Sequence, residues 1–240
     1  MLIDRIYYDI RVLGRWAAAV PVLTIVACVA IVVVLRLDQV KTIGLFTACL
    51  EMFLPFIAGI FIVTLCGHDT AAELLLSMPV PYRKTIFRRS LLVGGWIALV
   101  SLFVSIILNG LRLVKILSFE HSWSGLAQWL LGQLVWLAPL LWFLALGLFL
   151  ALLLRSRAAS TALLGGIWVG ENIMYGMLIG STWLHPVFLF ATTLTPPAIL
   201  SPFWISNRIQ LLVTALFLLI IAWLQLHNTE ALLQKTLGEE

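Results

Sequence analysis

Two acidic positions interrupt long apolar runs in this chain: Glu51, and Glu171 with its neighbour Asn172. A charge at the centre of a bilayer costs at least about 2.5–3.5 kcal/mol, so an acid kept there faces other helices or a cavity. Glu171 and Asn172 lie near the middle of their run. They can line a substrate pathway or a subunit interface, or only bond to a neighbouring helix. Glu51, about a third of the way along its own run, fits the second, structural role better.

Catalysis asks for more than single acids. His68, His121, His185 and His227 fall near the ends of apolar runs and share no helix face. There is no H-E-x-x-H, Glu171 has an amide rather than a second carboxylate beside it, and no histidine stands at a recognisable spacing from Ser181. Cys28, Cys49 and Cys66 lack metal-ligand spacing and read as small buried hydrophobes. No G-x-x-x-x-G-K-[ST] cradle for ATP phosphates is present. The residues thus assign no catalytic and no metal site, and the chain is not expected to be an enzyme by itself.

The elements that position these residues follow from composition. Of 240 residues 62% are hydrophobic and 11% charged, with a mean hydropathy of +1.08. Soluble domains hold about 45–50% apolar and about 25% charged residues. The expected fold is an all-α membrane protein, a single transmembrane domain over 1–240. The continuous apolar runs exclude a barrel of short alternating strands. Six segments have the roughly 20 apolar residues that a span needs: 17–36, 43–66, 90–111, 128–154, 160–181 and 209–226. Pro139 predicts a tilt or kink in the fourth. The tryptophans there, Trp129, Trp136 and Trp142, suit packing better than a ligand box.

Residues 2–16 place Ile3, Ile6, Ile10 and Leu13 on one helix face and Asp4, Tyr8, Arg11 and Arg15 on the other. Such a helix lies in the interface as an entry anchor. This charged start carries no apolar core of a cleavable signal peptide. With the N-terminus inside, ten basic residues fall in cytoplasmic segments: Arg5, Arg11, Arg15, Arg83, Lys84, Arg88, Arg89, Arg155, Arg157 and Lys235. Five fall outside: Arg36, Lys41, Arg112, Lys115 and Arg208. The bias predicts cytoplasmic termini, and it accounts for the net charge of +4 without a nucleic-acid partner.

Two connections carry more pattern than a plain loop. Thr70 and Glu73 have capping-box spacing ahead of Leu74, Leu75, Leu76 and Met78, and Pro79 ends the run. A short cytoplasmic helix with an apolar face is expected, followed by Pro81 at the start of a second helix and by Arg83, Lys84, Arg88 and Arg89. Residues 181–208 are apolar and aromatic but broken by Pro186, Pro196, Pro197 and Pro202, too short to cross. One or two re-entrant or interfacial half-helices before the last span are expected there. The C-terminal HNTEALLQKTLGEE reads as a frayed polar helix.

The stretch AAELLLSMPVPYRKTIFRRSLL, residues 71–92, resembles the cytoplasmic segment after span two in permease subunits of type-2 ABC exporters. In that family an acid and a leucine run precede S-x-P-V, a basic cluster and span three. The six-span layout, the amphipathic N-terminus and the broken segment before span six are also similar. Ala71-Ala72 stands where the family usually has Gly-Thr. The resemblance implies a coupling helix over 70–79, with Thr70, Glu73, Leu74, Leu75, Met78, Pro79 and Arg83 facing a separate ABC ATPase. Two ATPase copies would bind ATP and Mg, so this chain needs no cofactor. A second permease, identical or related, would complete the unit in a bacterial plasma membrane. Short outer loops favour a small amphiphile or a peptide over a polymer as cargo. The alternative is an ion- or proton-coupled secondary transporter with Glu171 as carrier; the lack of paired half-helices in its sequence speaks against it.

Overall fold

The computed structural model describes residues 2–66, 82–110, 125–154, 156–195, 200 and 203–237. The regular elements among the described residues are all helical. Six helices are long and apolar enough to cross a membrane, in agreement with the sequence. They are α1 (Leu2–Leu35), α2 (Gln39–Cys66), α3 (Tyr82–Gly110), α4 (Gly125–Leu154), α5 (Arg157–Gly180) and, after a short α6 (Ala191–Leu194), α7 (Trp204–Leu237).

The Leu134–Leu154 part of α4 is the hub. It is apolar on every face, and most of its residues are buried. α2 and α7 pack against it most extensively, and α3 and α5 add to the same layer. Lipid tails are as apolar as Leu, so association here depends on close packing rather than on hydrophobicity. Gly147 supplies it: a Cβ added there would lie 2.8 Å from the Gly59 carbonyl oxygen of α2. α5 and, from Trp16 onward, α1 sit at the periphery with most of their apolar side chains exposed.

Helix boundaries differ from the sequence expectation in informative ways. α1 runs unbroken from Leu2, so the amphipathic segment and the first span form one helix. α1 stops through Arg36, whose φ of 46° is left-handed, with the Leu37 N–H donating to the Val32 carbonyl at 3.2 Å. That is the helix-ending arrangement usually built on glycine. α3 begins at Tyr82, so Lys84, Arg88 and Arg89 occupy its first turns and run straight into span three. α4 is interrupted at Gln133, while Pro139 stays inside its helix, so the break falls more than a turn before the proline. α7 starts at Trp204 and continues to Leu237, taking in both Arg208 and most of the C-terminal polar segment. The expected helix over 70–79 lies outside the described residues.

Candidate functional site

α2 changes its winding at Glu51. Residues Cys49–Phe53 form one π-helical turn between two α-helical halves. Such wide turns are rare and often mark functional positions. The Glu51 side chain is fully buried, and Arg208 of α7, equally buried, forms an ion pair with it.

What the pair holds is the broken segment. After α5 ends at Gly180, a 3₁₀ turn (Thr182–Val187) and then α6 carry the chain back into the protein. The Leu189 N–H donates to Glu171 at 3.1 Å. Glu171 lies nine residues before the end of α5, so the chain has doubled back by about 14 Å at 1.5 Å per residue. Phe188, Leu189, Phe190 and Ala191 are completely buried there.

Irregular backbone at membrane depth survives only where protein satisfies its polar groups. Here three spans do so with side chains. Glu51 accepts the N–H groups of Thr192 at 3.0 Å and Thr193 at 2.6 Å. These are the first-turn amides of α6, whose own N-cap, Phe190, offers no side-chain acceptor. Glu51 therefore caps a helix that cannot cap itself. Arg208 donates to the Leu189 carbonyl at 3.0 Å and to Thr192 Oγ1 at 2.7 Å. Asn207 donates to the carbonyls of His185 and Phe188 at 2.5 and 2.9 Å. Trp204 adds a bond from Nε1 to Thr192 Oγ1 at 3.1 Å. Phe190 closes the apolar side, stacked on Phe143 at 6.2 Å and edge-on to Trp168 at 6.4 Å.

Of the residues singled out from sequence, Glu171 belongs to this network and shares Leu189 with Arg208. Asn172 does not; its amide donates to the Trp168 carbonyl of its own helix at 2.8 Å. Arg83 lies in the first turn of α3, and Thr70, Glu73, Leu74, Leu75, Met78 and Pro79 lie outside the described residues. Glu51 has more partners in the network than Glu171, the reverse of the emphasis that position in the runs suggested. Sequence reasoning missed Arg208, Asn207, Thr192 and Thr193. Arg208 was countable as an outer-loop cation only because the sixth span was begun one residue after it. Its burial removes it from the five cations expected in outer loops.

The arrangement can hold a folded-back segment rigidly between α2, α5 and α7. Among the described residues no cluster of His, Cys, Asp or Glu could bind a metal. Thr193 gives a local test. Its Oγ1 donates to Glu51 at 2.6 Å, and hydrogen bonds to charged groups contribute about 1.5–3 kcal/mol. Thr193→Val should lose about that much stability in detergent unfolding. Thr47→Val should cost far less, because the Thr47 hydroxyl only bonds back to Ile43 at 2.9 Å. Equal losses would show that the clamp is not under load.

No protein-family model, curated protein or solved structure matches this chain.

Proposed function

We propose that this chain is the membrane-spanning permease subunit of an ATP-binding cassette exporter of type 2. The observation that carries the reading is the 71–92 stretch: an acid, a leucine run, S-x-P-V and a basic cluster leading directly into a span. The six-span helical architecture is compatible with it. In this reading the 70–79 helix seats in a groove of a separate ATPase, with Glu73, Leu74, Leu75 and Met78 as its contacts and Arg83 beside them. Two ATPases bind ATP and Mg, and two permeases form the pathway.

ATP-driven closure of the ATPases pushes on that helix and rearranges the two permease bundles. Substrate passes between them, along α2 and α5, towards the folded-back 182–194 segment on the outer side. The network around Glu51, Arg208 and Glu171 keeps that segment in one position against both helices. A second permease needs a flat surface on this chain. On α5, Gly166 and Gly170, then Gly176 and Gly180, recur four residues apart, and added Cβ atoms there would meet nothing within 4 Å. Small residues at that spacing let membrane helices approach closely. Both termini lie in the cytoplasm of a bacterial cell on this reading.

The decisive experiment is purification of the tagged chain from its native host, with ATPase activity measured in the eluate. An ABC ATPase should co-purify. Leu75→Asp and Glu73→Arg should abolish its retention and the coupled activity while the permease still melts at the wild-type temperature. Full activity in both variants would sink the coupling helix. Gradient-driven transport by the chain alone, lost in Glu171→Gln, would favour the secondary-transporter alternative.

A further inference from the structure

The network around the folded-back segment holds two carboxyl groups and one guanidinium. Glu51 is neutralised by Arg208, and both are sealed from the surface. Glu171 has no cation of its own. Its Oε2 accepts the Leu189 N–H at 3.1 Å, and the charged groups that face it are Glu51 and Arg208, already joined to each other. α4 brings no titratable residue, and the folded-back segment only His185, whose ring approaches the Ile179 carbonyl at 3.4 Å. An amide side chain could accept one N–H equally well, whereas an acid at membrane depth is expensive and marks a pathway by default. Glu171 is 7% exposed and Glu51 0%, so only Glu171 of the two can be approached from outside the fold.

Beside Glu171 the surface is aromatic. Trp168 precedes it by three residues on the same face of α5. Across the seam, Phe53 closes the π turn of α2, and Phe56 follows. Their rings meet Trp168 with centroids 5.7 and 5.6 Å apart. Phe53 is exposed, and Phe56 and Trp168 are half-buried, so the three rings form a wall open on one side. Lys41 and Arg157 stand in the first turns of α2 and α5, and neither helix carries another Lys or Arg. The middle of the seam thus offers π faces, one acid and no cation. Aromatic faces attract cations, most strongly where water is absent, and aromatic-lined sites recognise quaternary ammonium groups. We propose that the seam between α2 and α5 binds a lipophilic monocation, its charge set against Glu171 and its apolar groups against Phe53, Phe56 and Trp168. This names the class of cargo for the exporter reading, and it rests on that reading only for the path along α2 and α5.

Tetraphenylphosphonium and tetraphenylborate, alike in shape and opposite in charge, are the probes. The full chain is purified in an uncharged detergent without any ATPase, and saturable binding of each ion is measured by equilibrium dialysis. Tetraphenylphosphonium should bind saturably, and tetraphenylborate at least about tenfold more weakly. Glu171→Gln keeps an acceptor for Leu189 and should weaken the cation by a similar factor. Phe53→Ala, at an exposed ring, should weaken it about two- to fivefold. A proton competes for the same carboxylate, so the cation should bind more tightly at about pH 9 than at about pH 6. That rise should be absent from Glu171→Gln. Equal saturable binding of the two ions, or none of either, overturns the proposal. So does a cation affinity unchanged in either variant. Because the assay contains no ATPase, cation binding by a chain that recruits none from its host would refute the exporter reading and leave this site standing.

Discussion

Arg208→Met is expected to destabilise the protein by about 3–5 kcal/mol, the cost of stranding one charge of a buried pair. Glu51 would keep its N–H donors from Thr192 and Thr193 but lose the cation that balances it in a fully buried place. The Leu189 carbonyl and Thr192 Oγ1 would each lose a donor as well. Glu51→Gln keeps an oxygen acceptor in place and removes the charge, so the double variant Glu51→Gln/Arg208→Met should cost much less than the two single losses added. Coupling between such partners is typically about 0.5–3 kcal/mol. The measurement is equilibrium unfolding in mixed micelles for the four proteins. Strict additivity, or an Arg208→Met loss within about 0.5 kcal/mol of zero, as at an ordinary surface site, would remove the pair from the centre of the structure. Because the pair also positions the folded-back segment, limited proteolysis between residues 181 and 203 should accelerate in Arg208→Met and stay slow in the wild type.

The second large effect is expected at the crossing of α2 and α4. In Gly147→Ala the new methyl would sit 2.8 Å from the Gly59 carbonyl oxygen and 3.2 Å from its Cα. Both obstacles are backbone, so no side-chain rotation relieves the contact and the helices must separate. Overpacking of this kind costs about 1–3 kcal/mol, and separation also weakens contacts along the rest of the crossing. Gly165→Ala in α5 provides the control, since its added Cβ meets nothing within 4 Å. There the alanine should be neutral or stabilising by about 0.4–1 kcal/mol. A melt in which Gly165→Ala loses as much as Gly147→Ala would mean that close approach at Gly147 is not what holds α2 against α4.

The buried charges also illustrate how a membrane protein uses expensive residues. Glu51, Glu171, Asn207 and Arg208 are each bonded to backbone groups of residues 185–193 or to one another. A regular helix satisfies its own backbone and needs none of them. A folded-back segment does not, and every such group left unpaired costs several kcal/mol in hydrocarbon. The acids and the arginine are therefore the counterpart of the prolines that break residues 181–208 into short pieces. The exporter reading uses this rigid feature beside the pathway; the clamp itself follows from geometry alone.

The sequence by itself determined the number of spans and their approximate limits, because a run of about 20 apolar residues is a local property that needs no partner. It also predicted that 181–208 would not cross as a complete span, since prolines are local breaks, and that acids at 51 and 171 needed explaining. Only the tertiary structure decided what those acids do. Glu51 meets Arg208 across 157 positions of sequence and the Thr193 amide across 142. Hydrophobic periodicity reports which face of a helix is buried, not which distant backbone lies against it. The π turn at Cys49–Phe53, the inward placement of Arg208 and the demand that residues 188–193 make for donors and acceptors all arise when the chain doubles back. That demand exists only at depth, where water cannot meet it, and so it cannot be read until the fold has put the segment there.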